Sequence, residues 1–208
     1  MKALESSLDK FQILPVLTIQ STQFLDSLGE LCIRNNIMHL EITLRTPQAL
    51  SAIDYIKTKF PDLLVGAGSI LNVEQLESCF NSGADFFISP GISEELCDIA
   101  CLKKLVYLPG VQTPTEIMLA LSYNFNRLKY FPAQPNGIER ISALYGPFPH
   151  VKFCPTGGIE FTNMGEFLSL ENTFCVGMTR LITTAQINEN DINSMQCNID
   201  KVKAILQG

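Results

Sequence analysis

Short apolar runs alternate along this chain with longer segments whose apolar residues recur at helical spacing. An apolar run of four to eight residues bounded by turn residues predicts a buried strand, whereas apolar residues three or four apart predict an amphipathic helix. Eight strands are predicted, near 12–19, 38–44, 63–70, 85–90, 105–109, 127–133, 151–156 and 173–181. Eight helices are predicted to follow them, near 22–35, 47–60, 73–82, 93–103, 114–125, 138–145, 163–170 and 191–206.

The regular strand-then-helix order predicts parallel strands joined by helical crossovers. Eight such units indicate an α/β fold of the (β/α)8 TIM barrel type, with an open, doubly wound sheet as the alternative. Helix starts support the pattern, because Asn72, Ser93 and Thr113 followed by Pro114 are good capping residues. No linker or charge block divides the chain. We therefore expect a single domain over residues 1–208, with a short N-terminal helix.

Composition and charge exclude several classes of protein. Hydrophobic residues make up 46% of the 208 residues, which predicts a large core rather than disorder. The net charge of −6 gives no electrostatic reason to expect nucleic acid or an anionic membrane as a partner. No apolar stretch is long enough to span a bilayer, and no signal-peptide pattern is present at the N-terminus.

The seven cysteines predict neither a disulfide framework nor a zinc site. Their number is odd, and they form no CxxC pairs and no clusters with histidine. We expect free, buried thiols in a reducing compartment, and therefore a cytoplasmic protein.

Lys129 is out of place in the apolar segment 127–133, which is predicted to be a buried strand. Lysine is almost never fully buried unless it is paired. Burial disfavours its charged form, and the free amine can attack a carbonyl carbon. The alternative is a lysine at the end of a strand, whose stem packs while its ammonium reaches water.

Polar residues alternate with apolar ones along the strand predicted near 38–44. Glu41 and Arg45 share one face with His39 and Thr43, while Leu40 and Ile42 share the other. Under a ring of helices the apolar face packs outward, so the polar face points into the barrel. The same alternation places Lys129 and Phe131 inside. An amine, a carboxylate and a guanidinium in one cavity suit Schiff-base chemistry on a keto acid. The alternative is a structural Glu41–Arg45 ion pair, which would contribute little to stability once desolvation is counted.

Two further segments offer groups for ligand binding. Gly157 and Gly158 follow the seventh predicted strand, where the backbone N–H groups of barrel loops often bind phosphate. A plain turn is the alternative for this pair. Ser69 ends the third strand after small residues, and its hydroxyl is available to a ligand.

Several stretches together resemble the 2-keto-3-deoxy-6-phosphogluconate aldolase / 4-hydroxy-2-oxoglutarate aldolase family. They occur in the order of that family and cover nearly the whole chain. The matching stretches are LEITLRT at 40–46, VGAGSILN at 65–72, ISPG at 88–91, LPG at 108–110, KYFPA at 129–133 and FCPTGGI at 153–159.

The resemblance implies a class I aldolase on a (β/α)8 barrel, a homotrimer that needs no metal or other cofactor. By this resemblance Lys129 forms the Schiff base with the keto acid, and Glu41 is the general acid and base. The residues implied to bind substrate are Arg45 and Ser69 for the carboxylate, Pro90 and Phe131 for the carbon chain, and Gly157, Gly158 and Thr179 for the phosphate.

The chain departs from the usual pattern of the family in three places. Ser69 stands where threonine is usual, and residues 134–137 form a shorter, less acidic loop. Met178 and Thr179 stand where Gly-Ser is usual. The methionine is expected to add bulk beside the phosphate.

The implied reaction is the reversible cleavage of 2-keto-3-deoxy-6-phosphogluconate to pyruvate and glyceraldehyde 3-phosphate. Cleavage of 4-hydroxy-2-oxoglutarate or of 2-keto-3-deoxy-6-phosphogalactonate is an alternative with the same mechanism. A sensor that binds a sugar phosphate without turnover is an alternative from another class.

Overall fold

A computed structural model of the chain describes residues 2–8 and 10–207. Its strands are β1 Ile13–Leu17, β2 His39–Thr43, β3 Leu64–Gly68, β4 Phe86–Ile88, β5 Tyr107–Leu108, β6 Gly110–Val111, β7 Arg127–Tyr130, β8 Lys152–Pro155 and β9 Val176–Met178. Its helices are α1 Lys2–Leu8, α2 Leu25–Arg34, α3 Ala49–Lys59, α4 Val73–Asn81, α5 Glu94–Leu102, α6 Pro114–Ser122, α7 Gly137–Leu144, α8 Met164–Leu168, α9 Thr184–Glu189 and α10 Ile192–Gln207.

The strands are parallel, and they alternate with helices as the hydrophobic pattern predicts. One sheet has the order β5-β4-β3-β2-β1-β9 and a second has the order β6-β7-β8. Neighbours in space are therefore neighbours in the chain, except that the first strand lies beside the last. A doubly wound sheet would instead reverse direction part-way along its strand order. The arrangement is a curled, TIM-barrel-like α/β fold, and the alternative of an open doubly wound sheet is wrong.

The regular pairing does not run through all strands as one continuous sheet. The fifth predicted strand is divided at Pro109 into β5 and β6, because a proline has no N–H for a strand ladder. Isolated bridges, Phe153 with Thr173 and Thr156 with Gly177, join the end of the second sheet to the first.

The hydrophobic core has two parts on opposite sides of the strands. The larger part includes Leu40, Ile42 and Leu128 and lies between the strands and the helices. The smaller part lies inside the curled sheet, where Leu4 and Leu8 of α1 pack against inward side chains of the strands. The predicted N-terminal helix is therefore confirmed, and it covers the interior at the amino ends of the strands.

Local signals placed the starts of α4, α5 and α6 correctly. Asn72, Ser93 and Thr113 each accept a hydrogen bond from a backbone N–H in the first turn of the helix that follows. The sequence pattern does not predict the short helix α9, because its six residues fall in the segment between the last predicted strand and the last predicted helix. In residues 2–8 and 10–207, no helix is long and apolar enough to cross a membrane.

Candidate active site

Lys129 and Glu41 meet in the buried interior of the curled sheet. The Nζ atom of Lys129 lies 3.4 Å from Oε1 of Glu41, and the two side chains are 5% and 0% exposed. Their strands, β7 and β2, are separated by several others in either direction around the sheet. The side chains therefore meet across the interior rather than along neighbouring strands. The alternative of a lysine whose ammonium reaches water is wrong.

Gly68 leaves the space that the Glu41 carboxylate occupies. It lies one strand away on β3, paired with Thr43, and a Cβ atom at this position would overlap Oε1 of Glu41. Oε2 of Glu41 is buried and accepts no hydrogen bond from the described residues. Since a buried carboxylate oxygen is costly to leave unpaired, this atom is available to a substrate or a water molecule.

Arg45 and Ser69 form a second polar group at the carboxyl ends of β2 and β3. Nε of Arg45 donates a hydrogen bond to Oγ of Ser69 over 3.2 Å, and the arginine is exposed. Ser69 adopts a left-handed backbone conformation with φ of 60°. The proposed structural ion pair between Glu41 and Arg45 is wrong, because Glu41 contacts Lys129 instead.

Phe131 connects Lys129 to the glycine pair. Its ring centroid lies 5.3 Å from Nζ of Lys129, and a Cβ atom at Gly157 would lie 3.1 Å from the same ring. Both glycines have positive φ, 92° at Gly157 and 81° at Gly158, which is a conformation that favours glycine. Pro90 lies beside Gly110, the residue that pairs with Lys129 on the neighbouring strand.

Thr179 follows β9 and is exposed. It lies close to the loop that contains the glycine pair, because Gly177 forms a bridge with Thr156, the residue just before that pair. Met178 does not add bulk there, contrary to the sequence-based expectation. It is fully buried in the core between the strands and the helices. Alternation along β9 turns its side chain outward, whereas Gly177 faces Thr156 inside.

Sequence reasoning did not select Thr156, Cys154 and Cys175, which face the same interior. Cys154 pairs with Lys129 in the strand register, and its Sγ lies 3.7 Å from Oγ1 of Thr156. Burial raises the pKa of the Cys175 thiol well above its ordinary value, and Cys154 and Glu41 raise it further. This thiol therefore stays neutral. Alternation along the seventh predicted strand could have found Cys154 and Thr156.

All seven cysteines lie in the described part of the chain as free thiols, as expected, but not all are buried. Cys101 and Cys197 are exposed on helices. In residues 2–8 and 10–207, no group of three or more His, Cys, Asp or Glu side chains is placed to hold a metal ion.

Comparison with known proteins assigns the chain to a family. A sequence model described as "Aldolase: KDPG and KHG aldolase" matches residues 4–197. The chain belongs to this aldolase family. It is therefore a carbon–carbon lyase, in agreement with the resemblance seen in the sequence, and the alternative of a sensor without turnover is set aside.

Two members of the family show how closely the chain follows it. The KHG/KDPG aldolase of Escherichia coli K12 is 35% identical over 188 residues, covering 90% of this chain and 88% of that protein. The KDPG aldolase of Legionella pneumophila, solved with pyruvate captured at low pH as a covalent carbinolamine intermediate, has 35% sequence identity and a TM-score of 0.89. That match covers 97% of each chain.

Proposed function

We propose that this aldolase reversibly cleaves 2-keto-3-deoxy-6-phosphogluconate to pyruvate and glyceraldehyde 3-phosphate through a Schiff base on Lys129. The buried contact of 3.4 Å between Nζ of Lys129 and Oε1 of Glu41 carries the proposal. It joins a nucleophile to an acid–base group in a site from which bulk water is excluded. The names of the aldolase relatives support the choice of substrate.

The reaction begins when Glu41 takes a proton from the Lys129 ammonium, and the free amine attacks C2 of the keto acid. Loss of water gives an iminium, which withdraws electrons from the adjacent bond. Glu41, acting through a water molecule, removes the proton of the C4 hydroxyl, and the C3–C4 bond breaks with its electron pair moving to the iminium. The resulting enamine takes a proton at C3 from Glu41. Hydrolysis then releases pyruvate and restores the lysine.

The surrounding side chains position the substrate along the cavity. Arg45, oriented by its hydrogen bond to Ser69, binds the carboxylate in a geometry suited to a guanidinium fork. Pro90 and Phe131 contact the carbon chain. The backbone N–H groups of Gly157 and Gly158, together with the hydroxyl of Thr179, bind the phosphate.

Trapping with pyruvate and borohydride tests the proposal directly. Reduction of the Schiff base should leave a stable adduct on the peptide that contains Lys129, detected by mass spectrometry. A Lys129→Met variant should give no adduct. Lys152→Met is the matched control. Lys152 lies on the neighbouring strand, at the amino end, where its ammonium contacts the backbone carbonyl of Glu171. An adduct on another lysine, or none in the wild type, would refute the mechanism.

Cleavage of 4-hydroxy-2-oxoglutarate is a second candidate function. The E. coli relative carries both activities in its name, and the groups proposed to bind pyruvate do not depend on a phosphate. The third candidate, 2-keto-3-deoxy-6-phosphogalactonate, differs in configuration alone. Values of kcat/KM for the three substrates, measured side by side, would rank them.

We further propose that residues 1–208 form one domain and a complete (β/α)8 barrel. Support comes from the single residue, Pro109, that separates β5 from β6, and from the two bridges between the ends of the sheets. The protein is proposed to act in the cytoplasm as a homotrimer without a metal. Light scattering should then give three times the 23.1 kDa mass of the chain.

A further inference from the structure

Arg180 contacts the loop that follows the glycine pair, although the sequence motifs did not include it. It follows Thr179 after the end of β9, and its Nε donates to Oε2 of Glu160 over 3.0 Å. Glu160 comes two residues after Gly158. The guanidinium is therefore attached to the loop that is proposed to receive the substrate phosphate.

Both sides of this contact are held in place by other parts of the fold. On the loop, the Asn163 side chain accepts from the backbone N–H of Glu160 over 2.9 Å and donates to the carbonyl of Gly158 over 3.0 Å. On the other side, Nδ2 of Asn198 in α10 donates to the carbonyls of Arg180 and Leu181, over 3.3 and 3.2 Å. The position of Arg180 relative to the glycine pair is thus determined by the fold.

The free donors of Arg180 suit an anion. A guanidinium has five N–H donors, and Glu160 takes the one on Nε, so the outer edge can form two parallel hydrogen bonds to a phosphate. The side chains of Arg180 and Glu160 are 60% and 44% exposed. Because exposed ion pairs contribute little to stability, a structural role alone gives little reason for this contact.

The charge of the substrate also favours a cationic group at the phosphate. A keto acid phosphate carries one carboxylate, which Arg45 is proposed to bind, and a phosphate with a charge near −2. The groups assigned to the phosphate so far, Gly157, Gly158 and Thr179, are all neutral.

We propose that Arg180 binds the distal phosphate of the substrate and sets the preference of the enzyme for phosphorylated over unphosphorylated substrates. This inference rests on the proposed function, because it concerns the far end of the same substrate. Arg180 supplies the positive charge that the backbone N–H groups lack. It acts in binding rather than in the chemical step, so its loss should appear mainly in KM.

The test compares two acceptors with the same carbon chain. Condensation of pyruvate is measured with D-glyceraldehyde 3-phosphate and with D-glyceraldehyde, for the wild type and for Arg180→Gln. The variant should lose about tenfold or more in the ratio of kcat/KM for the phosphorylated over the unphosphorylated acceptor, since hydrogen bonds to charged groups are worth that much. Arg180→Lys keeps the charge but lacks the two parallel donors of the guanidinium, so its kcat/KM ratio should lie between those of the wild type and Arg180→Gln.

Arg34→Gln is the matched control, because it removes the same charge from an exposed position near the end of α2. It should leave the ratio unchanged. An equal loss for both acceptors in Arg180→Gln, or no loss at all, would overturn the inference while the proposed function stands.

Calorimetric titration with glycerol 3-phosphate separates this inference from the aldolase reaction. This ester has no carbonyl group and cannot form a Schiff base. Its Kd should rise about tenfold or more in Arg180→Gln. If the wild type forms no pyruvate adduct and uses neither acceptor, the proposed function fails, and the titration alone decides the role of Arg180. An unchanged Kd, or no binding to the wild type, would refute that role.

Discussion

At the scale of single residues, the central observation is a charged pair placed where it adds little stability. Burying two ions costs desolvation energy that their attraction offsets only in part. Lys129 is 4% exposed and Glu41 is fully buried, and among the described residues one oxygen of the Glu41 carboxylate has no hydrogen-bond partner. The proposed role of both residues in the reaction explains why such a pair is buried here. Strand alternation predicted that both residues face one cavity. It did not predict their direct contact, because the distance between them depends on the curvature of the sheet.

Gly68→Ala should impair catalysis by moving Glu41. The added methyl group would overlap the Glu41 carboxylate, which must then turn away from Lys129. Misplacing an acid–base group is expected to lower kcat by about 100-fold or more. Gly146→Ala is the control, because a Cβ atom there meets nothing within 4 Å. Steady-state kinetics on both variants would check this. Unchanged kcat in Gly68→Ala would show that the position of Glu41 is not critical.

At the scale of elements, α1 completes the molecule at the amino ends of the strands. Leu4 and Leu8 pack into the inner part of the core, and Glu5 forms a 3.1 Å ion pair with Arg127 of β7. Lys129, the proposed nucleophile, lies two residues further along the same strand, on the inward side. The helix thus closes the end of the interior that is opposite the mouth of the active site.

Leu8→Ala should destabilise the protein without changing the chemistry. Leu8 is 2% exposed, and large-to-small changes at buried leucines typically cost about 2 to 5 kcal/mol in the free energy of unfolding. Ser6→Ala, at an exposed position of the same helix, should have little effect. Urea unfolding would measure both variants. A loss below about 0.5 kcal/mol in Leu8→Ala would mean that α1 does not seal the interior.

At the scale of the whole molecule, His39 joins three elements in its neutral form. Nε2 donates to the carbonyl of Ile13 in β1 over 2.9 Å, and Oγ of Ser7 in α1 therefore donates to Nδ1 over 2.6 Å. Burial lowers the pKa of His39 to about 4, and the hydrogen bonds to backbone carbonyls oppose this only in part. In the unfolded chain the same imidazole titrates near its ordinary value of about 6.5.

Acid should therefore weaken the fold through His39. Between about pH 6.5 and pH 4 the unfolded chain binds a proton that the folded protein does not, so stability falls as the pH is lowered through this window. The loss from this residue is up to about 3 kcal/mol. His39→Gln should reduce the pH dependence, whereas His150→Gln, at an exposed position, should not. Urea unfolding at pH 7.0 and about pH 4.5 would give the change in the free energy of unfolding between the two pH values. An equal change for His39→Gln and the wild type would contradict the prediction.

The sequence by itself determined the alternation of strands and helices, the inward face of β2 and the family. The alternation and the inward face depend on residue types at short, regular spacing, which decide local structure and side-chain direction. The family follows from the resemblance of longer stretches that occur in the family's order. Only the tertiary structure decided that Lys129 meets Glu41 across the interior, that Met178 points away from the mouth, and that Arg180 lies against the glycine loop. These facts depend on strand order and curvature, which bring together residues as far apart as 41 and 129, and no local pattern encodes a distance between them.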